Sequence, residues 1–218
     1  MATPSAQPAG LRVRKKQRTR QVIGDAALRL FLERGFDHVT VAEIAEAAEV
    51  DAKTIYNYFP GKPDLLYHRL EAFETGLLDA VRDRKPGESI LTAFARYALD
   101  SQRGLLADDQ ASEQLRAITE MITDSETLLA HEQQVFARFT DSLAELIAEE
   151  TAARETDMRP TVVAHTLIGF HRSLVDHVRR STLAGTPNAK LARDLRTQAR
   201  RALASLEHGL ADYGIKRR

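Results

Sequence analysis

The sequence predicts an all-α protein of about nine helices arranged in two domains, and three observations carry that reading. Beyond residue 14 the chain is dominated by Ala, Leu, Glu and Arg, and apolar residues recur at helical spacing. Runs of β-branched residues alternating with period two are missing. At 218 residues the chain accommodates one large domain or two small ones, and its 43% hydrophobic content is enough to build a core. There is no cysteine, which removes disulfides, thiolate metal sites and a cysteine nucleophile. No uninterrupted run of about 20 apolar residues is present, so no membrane contact is expected. The polar, basic start lacks the apolar stretch of a secretory signal, and the expected location is cytoplasmic.

The elements follow in order. Residues 1–15, with Pro4 and Pro8, read as a disordered basic arm. The formal net charge of +0 hides an asymmetry: Arg12, Arg14, Lys15, Lys16, Arg18 and Arg20 precede the first acid, Asp25. Such an arm suits a polyanion. A first helix is expected from Lys16 to Arg34, where Ile23, Ala27, Leu30 and Phe31 form one apolar stripe and Gly35 closes it. Thr40-Val-Ala-Glu43 is a capping box that opens a short second helix ending near Ala48. Asp51 is a good N-cap for a third short helix through Phe59, and Pro60-Gly61 breaks it. Pro63 and Asp64 suit the first turn of a fourth helix that runs to Lys85-Pro86-Gly87.

Longer helices fill the rest, punctuated at Leu105–Asp109, Thr123–Ser125, Asp157–Pro160 and Gly185–Asn188. The expected division is an arm over 1–15, a helix-turn-helix domain over 16–66, and a larger helical domain over 67–218.

Two short helices joined by a tight Glu49-Val50 connection, packed on a longer first helix, make a helix-turn-helix pattern. Reading DNA needs a slim helix that fits a groove ~12 Å wide, held by a partner helix. On the third helix Ile55 and Phe59 point inward. Lys53 and Asn57 lie on the opposite face, flanked by Thr54 and Tyr56, with donors, acceptors, an aromatic and no acid.

The stretch from Gly35-Phe36 to Leu66 resembles the TetR/AcrR family signature. The matching positions are Gly35, Phe36, Thr40, Ile44, Ala45, Val50, Thr54, Ile55, Tyr56, Tyr58, Phe59, Lys62, Leu65 and Leu66. The resemblance implies a ligand-responsive DNA-binding transcriptional regulator, with a repressor the family's commonest outcome. It implies phosphate contacts from Thr40, Tyr56, Tyr58 and Lys62, with partial core packing as the alternative for Tyr58. Lys53, Thr54 and Asn57 become the base readers. The charge of the arm residues Arg14, Lys15, Lys16 and Arg18 separately suits phosphate or minor-groove contacts. Two positions depart from the pattern. Asp51 replaces the usual Ser, so its carboxylate must stay occupied in capping, and Lys53 replaces a frequent glycine.

In this family the remaining helices form a ligand pocket and a dimer interface. Residues 161–178 carry apolar side chains around much of the helix, as expected of a segment buried on more than one side. Leu191, Leu195, Ala199, Ala202, Leu206 and Leu210 form a stripe on the last helix, and these two helices are the expected homodimer interface. Phe94, Tyr97, Met121, Phe136 and Phe139, with His165 and Arg172 as polar partners, are the pocket candidates for an unidentified, moderately apolar effector. Plain core packing is the alternative for each aromatic. No cofactor, metal or catalytic activity is expected: His131, His165, His171 and His177 lack the spacing that pairs ligands on one helix face. The competing readings are an architectural DNA-binding protein without effector and an all-helical enzyme.

Overall fold

A computed structural model describes the backbone of residues 8–105, 109–210 and 213–215, with side chains from residue 14 onward except 102–110 and 112. The described residues form ten helices: α1 (Pro8–Arg34), α2 (Val41–Ala47), α3 (Ala52–Tyr58), α4 (Lys62–Leu66), α5 (His68–Arg82), α6 (Ile90–Leu105), α7 (Asp109–Thr123), α8 (Glu126–Thr151), α9 (Arg159–Leu183) and α10 (Asn188–Leu210). None is long and apolar enough to cross a membrane. Two compact units divide between Arg69 and Leu70.

In the first unit, the α1 stripe of Ile23, Ala27, Leu30 and Phe31 is buried together with Ile44 of α2, Ile55 of α3, Phe59 and Leu65. Each fully buried Ile, Leu or Phe contributes about 1.5–3 kcal/mol, so this small core rests on a handful of side chains. Gly35 ends α1 at φ 82 with its amide bonded to the Phe31 carbonyl at 2.8 Å. Helix α1 begins at Pro8, earlier than the apolar stripe predicts, so 8–15 are helical where an unstructured arm was expected. Residues 1–7 of that expected arm lie outside the described residues.

The expected fourth helix is two helices. Tyr67 sits between α4 and α5 at φ −90, ψ 8, and neither proline nor glycine is there to break the chain. The His68 ring supplies the reason. Its Nδ1 donates to the Leu65 carbonyl at 2.9 Å, the group that the Arg69 amide would use in an uninterrupted α-helix.

In the second unit, α5 to α10 enclose a core that includes Leu77, Phe94, Phe139, Leu143, Leu167, Leu174, Leu195 and Ala199. Arg179 near the end of α9 forks onto Glu132 near the start of α8 at 2.8 and 2.5 Å, so these helices run antiparallel. Arg84 is 2% exposed and donates to the Val81 carbonyl, to Glu150 Oε2 and to the Gly214 carbonyl at 2.7, 2.8 and 3.0 Å. One buried guanidinium thereby ties the α5 end, the α8 end and the C-terminal turn together.

Candidate nucleic-acid interface

The α2–turn–α3 geometry is built by local hydrogen bonds. The Thr40 amide and hydroxyl both donate to Glu43 Oε2, at 2.8 and 2.7 Å, and the Glu43 amide donates back to the Thr40 hydroxyl at 3.2 Å. These bonds hold the Glu43 carboxyl below the usual carboxylate range, with a smaller contribution from Arg34, whose guanidinium reaches Glu43 Oε1 at 2.9 Å. In the turn, Glu49 takes a left-handed φ of 54 while the Val50 amide closes onto the Ala45 carbonyl at 2.9 Å. Asp51 then caps α3: its Oδ1 accepts the Thr54 amide at 2.6 Å. That carboxylate is occupied, as its departure from the family's serine requires.

Helix α3 buries Ile55 and turns Lys53, Tyr56 and Asn57 outward, Tyr56 with 57% of its surface exposed. Thr54 and Tyr58 are half-buried. The outward face therefore carries a cation, a phenol and an amide side by side, with no unoccupied carboxylate on the helix. Lys62 is half-buried, and its Nζ lies 4.3 Å from the centre of the Phe36 ring. Burial draws its pKa down, against the opposing charges of Asp37 and Glu43.

The basic residues of α1 divide into two groups. Arg14, Lys15, Lys16 and Arg18 are exposed, and Arg14, Lys15 and Arg18 line a groove of about 580 Å³ that reaches Ala48 and Val50 at the helix-turn-helix corner. Arg20 turns the other way. Its guanidinium donates to the Tyr58 carbonyl, lies 4.3 Å from the centre of the Phe59 ring and has its pKa lowered by burial, with Asp64 opposing. It anchors the end of α3 to α1, a role its place in a basic run did not reveal.

A family model described as the MftR C-terminal domain matches residues 88–211, more than half of the chain, and one described as bacterial regulatory proteins, tetR family, matches residues 23–68. The chain belongs to the TetR family. It is 40% identical over 86 residues to the HTH-type transcriptional regulator TcmR of Streptomyces glaucescens, an alignment covering 39% of this chain and 38% of TcmR. It is 27% identical over 169 residues to the transcriptional regulator MftR of Mycobacterium tuberculosis, covering 75% of this chain and 81% of that protein. Among solved structures, NalD of Pseudomonas aeruginosa, the secondary repressor of the MexAB-OprM multidrug efflux pump, has the same fold. Its TM-score is 0.52 at 23% identity, covering 85% of this chain and 97% of NalD.

In the larger unit of this TetR-family protein, the aromatic candidates separate. Tyr97 and Phe139 pack on Phe73, at 5.3 and 6.1 Å between ring centres, and Phe136 joins them through His171 at 6.1 Å. Phe94 is fully buried and packs on Phe170 at 6.4 Å instead. Met121 is half-buried on α7. Arg172 lies with its guanidinium 5.1 Å from the centre of the Phe136 ring. His165 is on the exposed side of α9, its Nδ1 donating to the Thr161 carbonyl at 2.9 Å. The histidine among the aromatics is His171, which stacks on Phe73 at 4.3 Å and 12°. The face of α9 that His165 shares with Gly169 and Arg172 is exposed, whereas His171 is buried.

The α10 stripe also differs from expectation. Leu191, Leu195 and Ala199 are buried in the chain's own core, Leu206 and Leu210 pack against that core, and Ala202 is exposed. Helices α6 and α9 of the same chain cover the stripe. Periodicity identified an apolar face correctly, and the chain itself occupies it.

Proposed function

We propose that this TetR-family chain is a transcriptional repressor that binds a palindromic operator as a homodimer and is released by a small-molecule effector. The observation that carries the reading is the outward face of α3: Lys53, Tyr56 and Asn57 exposed on a helix whose one acidic cap is already bonded. Lys53 suits guanine acceptors and Asn57 suits adenine, while Tyr56, Thr40, Lys62 and the exposed arm residues supply phosphate contacts. Two copies of α3 must reach successive major grooves about 34–36 Å apart. The dimer face we assign to the outer side of α9, where Val162 is 55% exposed beside Thr166, Gly169 and Ser173.

The effector weakens operator binding only as far as it prefers the unbound conformation, and DNA weakens effector binding by the same factor. Continuous from His68 of the first unit into the second, α5 is the element through which the two sites communicate in this reading. Retardation of DNA from upstream of the chain's own gene, compared between the wild type and the Lys53→Ala, Asn57→Ala double variant at two salt concentrations, tests it. Loss of specific binding in the variant supports the repressor reading. Equal, weak binding of both proteins to any DNA turns the reading to an architectural DNA-binding protein.

A further inference from the structure

His171 is 2% exposed, and neither of its ring nitrogens has a hydrogen-bond partner among the described residues. Buried polar groups are nearly always paired, so an imidazole with both nitrogens orphaned is an anomaly that asks for an explanation. The rings around it are aromatic, and the exposed guanidinium of Arg172 lies 5.1 Å from the centre of the Phe136 ring. Phe73 stacks on the imidazole, Phe136 lies 6.1 Å away between ring centres, and Phe139 and Tyr97 complete the cluster through Phe73. Burial alone holds its pKa at about 4, so the ring is neutral near pH 7. A neutral imidazole offers one N–H donor and one acceptor lone pair.

We infer that His171 is the polar anchor of the effector site, and that the effector is an uncharged aromatic compound bearing a hydroxyl group, which meets the edge of the imidazole where its unpaired nitrogens point while its ring packs among Phe73, Phe136 and Phe139. This rests on the reading of the chain as an effector-responsive regulator. The Phe73 ring lies nearly parallel to the imidazole and fixes its plane, so the two nitrogens point sideways into the aromatic cluster. A hydroxyl satisfies an orphaned nitrogen either as donor or as acceptor. An anion fits poorly: the cluster holds no cation except Arg172, which is exposed, and an unpaired buried charge is costly. The larger groove of about 780 Å³ at the α8–α9 turn is a different environment, lined by charged groups such as Arg154, Asp157 and Arg159. Phe73 stands on α5, so a ring wedged against it bears on the helix that begins at His68.

The test uses the full chain and three probes: 2-naphthol, naphthalene and 2-naphthoate. Long-range ¹⁵N–¹H spectra report the His171 imidazole, and calorimetry reports affinity. We expect 2-naphthol to shift both His171 nitrogens and to bind at least ten-fold more tightly than naphthalene or 2-naphthoate. His171→Phe, which keeps a ring in the core, should stay folded by circular dichroism and lose that preference, while His171→Asn should retain part of it. Failure of 2-naphthol to shift His171, equal binding by wild type and His171→Phe, or preference for 2-naphthoate overturns the inference. Binding of 2-naphthol at His171 that leaves affinity for the upstream DNA unchanged upholds the site and removes the effector reading.

Discussion

The ring of His68 lies against the backbone of Gly24: a Cβ placed on Gly24 meets three ring atoms between 2.6 and 2.8 Å. One helix-interior glycine therefore makes room for the histidine that interrupts the chain at Tyr67. Gly24→Ala gains helix propensity but drives a methyl into a buried ring held by the Leu65 carbonyl and facing Asp25. The collision wins. We expect a loss of about 1–3 kcal/mol in urea unfolding, and unchanged or increased stability would show that His68 moves away without cost.

Arg20 and Arg18 stand two residues apart and should behave oppositely. Removing Arg20 takes away the bond to the Tyr58 carbonyl and the stack on Phe59, at a cost of about 2 kcal/mol in thermal unfolding. Arg18 is exposed, so Arg18→Ala should leave stability within about 0.5 kcal/mol. It should lower the slope of log affinity against log salt by about one for each phosphate that Arg18 neutralises. Retardation assays across a salt series separate the two.

Glu43 occupies both donors of Thr40, the groups implied to meet a phosphate. Glu43→Gln retains a capping-box residue and removes a negative charge from the end of α2 that we propose meets DNA. Operator affinity should rise by about 1 kcal/mol at low salt, with stability little changed, as measured by fluorescence anisotropy. Weaker binding would mean that the carboxylate organises the phosphate site instead of competing for it.

Acid should unfold the larger unit early. The unfolded chain protonates His171 near its ordinary value of 6.5, and the folded chain resists until about 4. Between those values protons favour the unfolded chain, so stability falls as pH drops from 6.5 to 4, by about 3 kcal/mol for this residue. His68, also depressed chiefly by burial, adds in the same direction within the DNA-binding unit. Denaturant midpoints at about pH 7 and about pH 4.5 should differ less in His171→Phe than in the wild type. Equal pH dependence in both would show that His171 is already protonated in the fold.

What was legible in the sequence was local. The Thr40–Glu43 box and the Asp51 cap are set by residues three apart, and the structure places each where the pattern requires. Roles that depend on distant partners were not. Arg20 meets Tyr58 across 38 positions of sequence, and nothing in a basic run distinguishes a cation that turns inward. The break at Tyr67 comes from a side chain taking a helical carbonyl, which composition does not announce. His165 and His171 lie on the same helix, and only packing decides which one is buried. The α10 stripe teaches the same point, because apolar spacing defines a face without saying which chain covers it.

Because α1 continues unbroken through Arg14, Lys15 and Arg18 from Pro8, the basic segment is a rod and not a tether. A loose tail can capture DNA from a distance and then surrenders chain entropy as it settles. A rod has little reach, so encounter must wait until α3 is near the DNA, and Arg14 and Arg18 arrive already about one helical turn of ~5.4 Å apart. Binding should then gain in residence time more than in capture rate. Replacing Arg14 and Arg18 with alanine should speed dissociation more than it slows association.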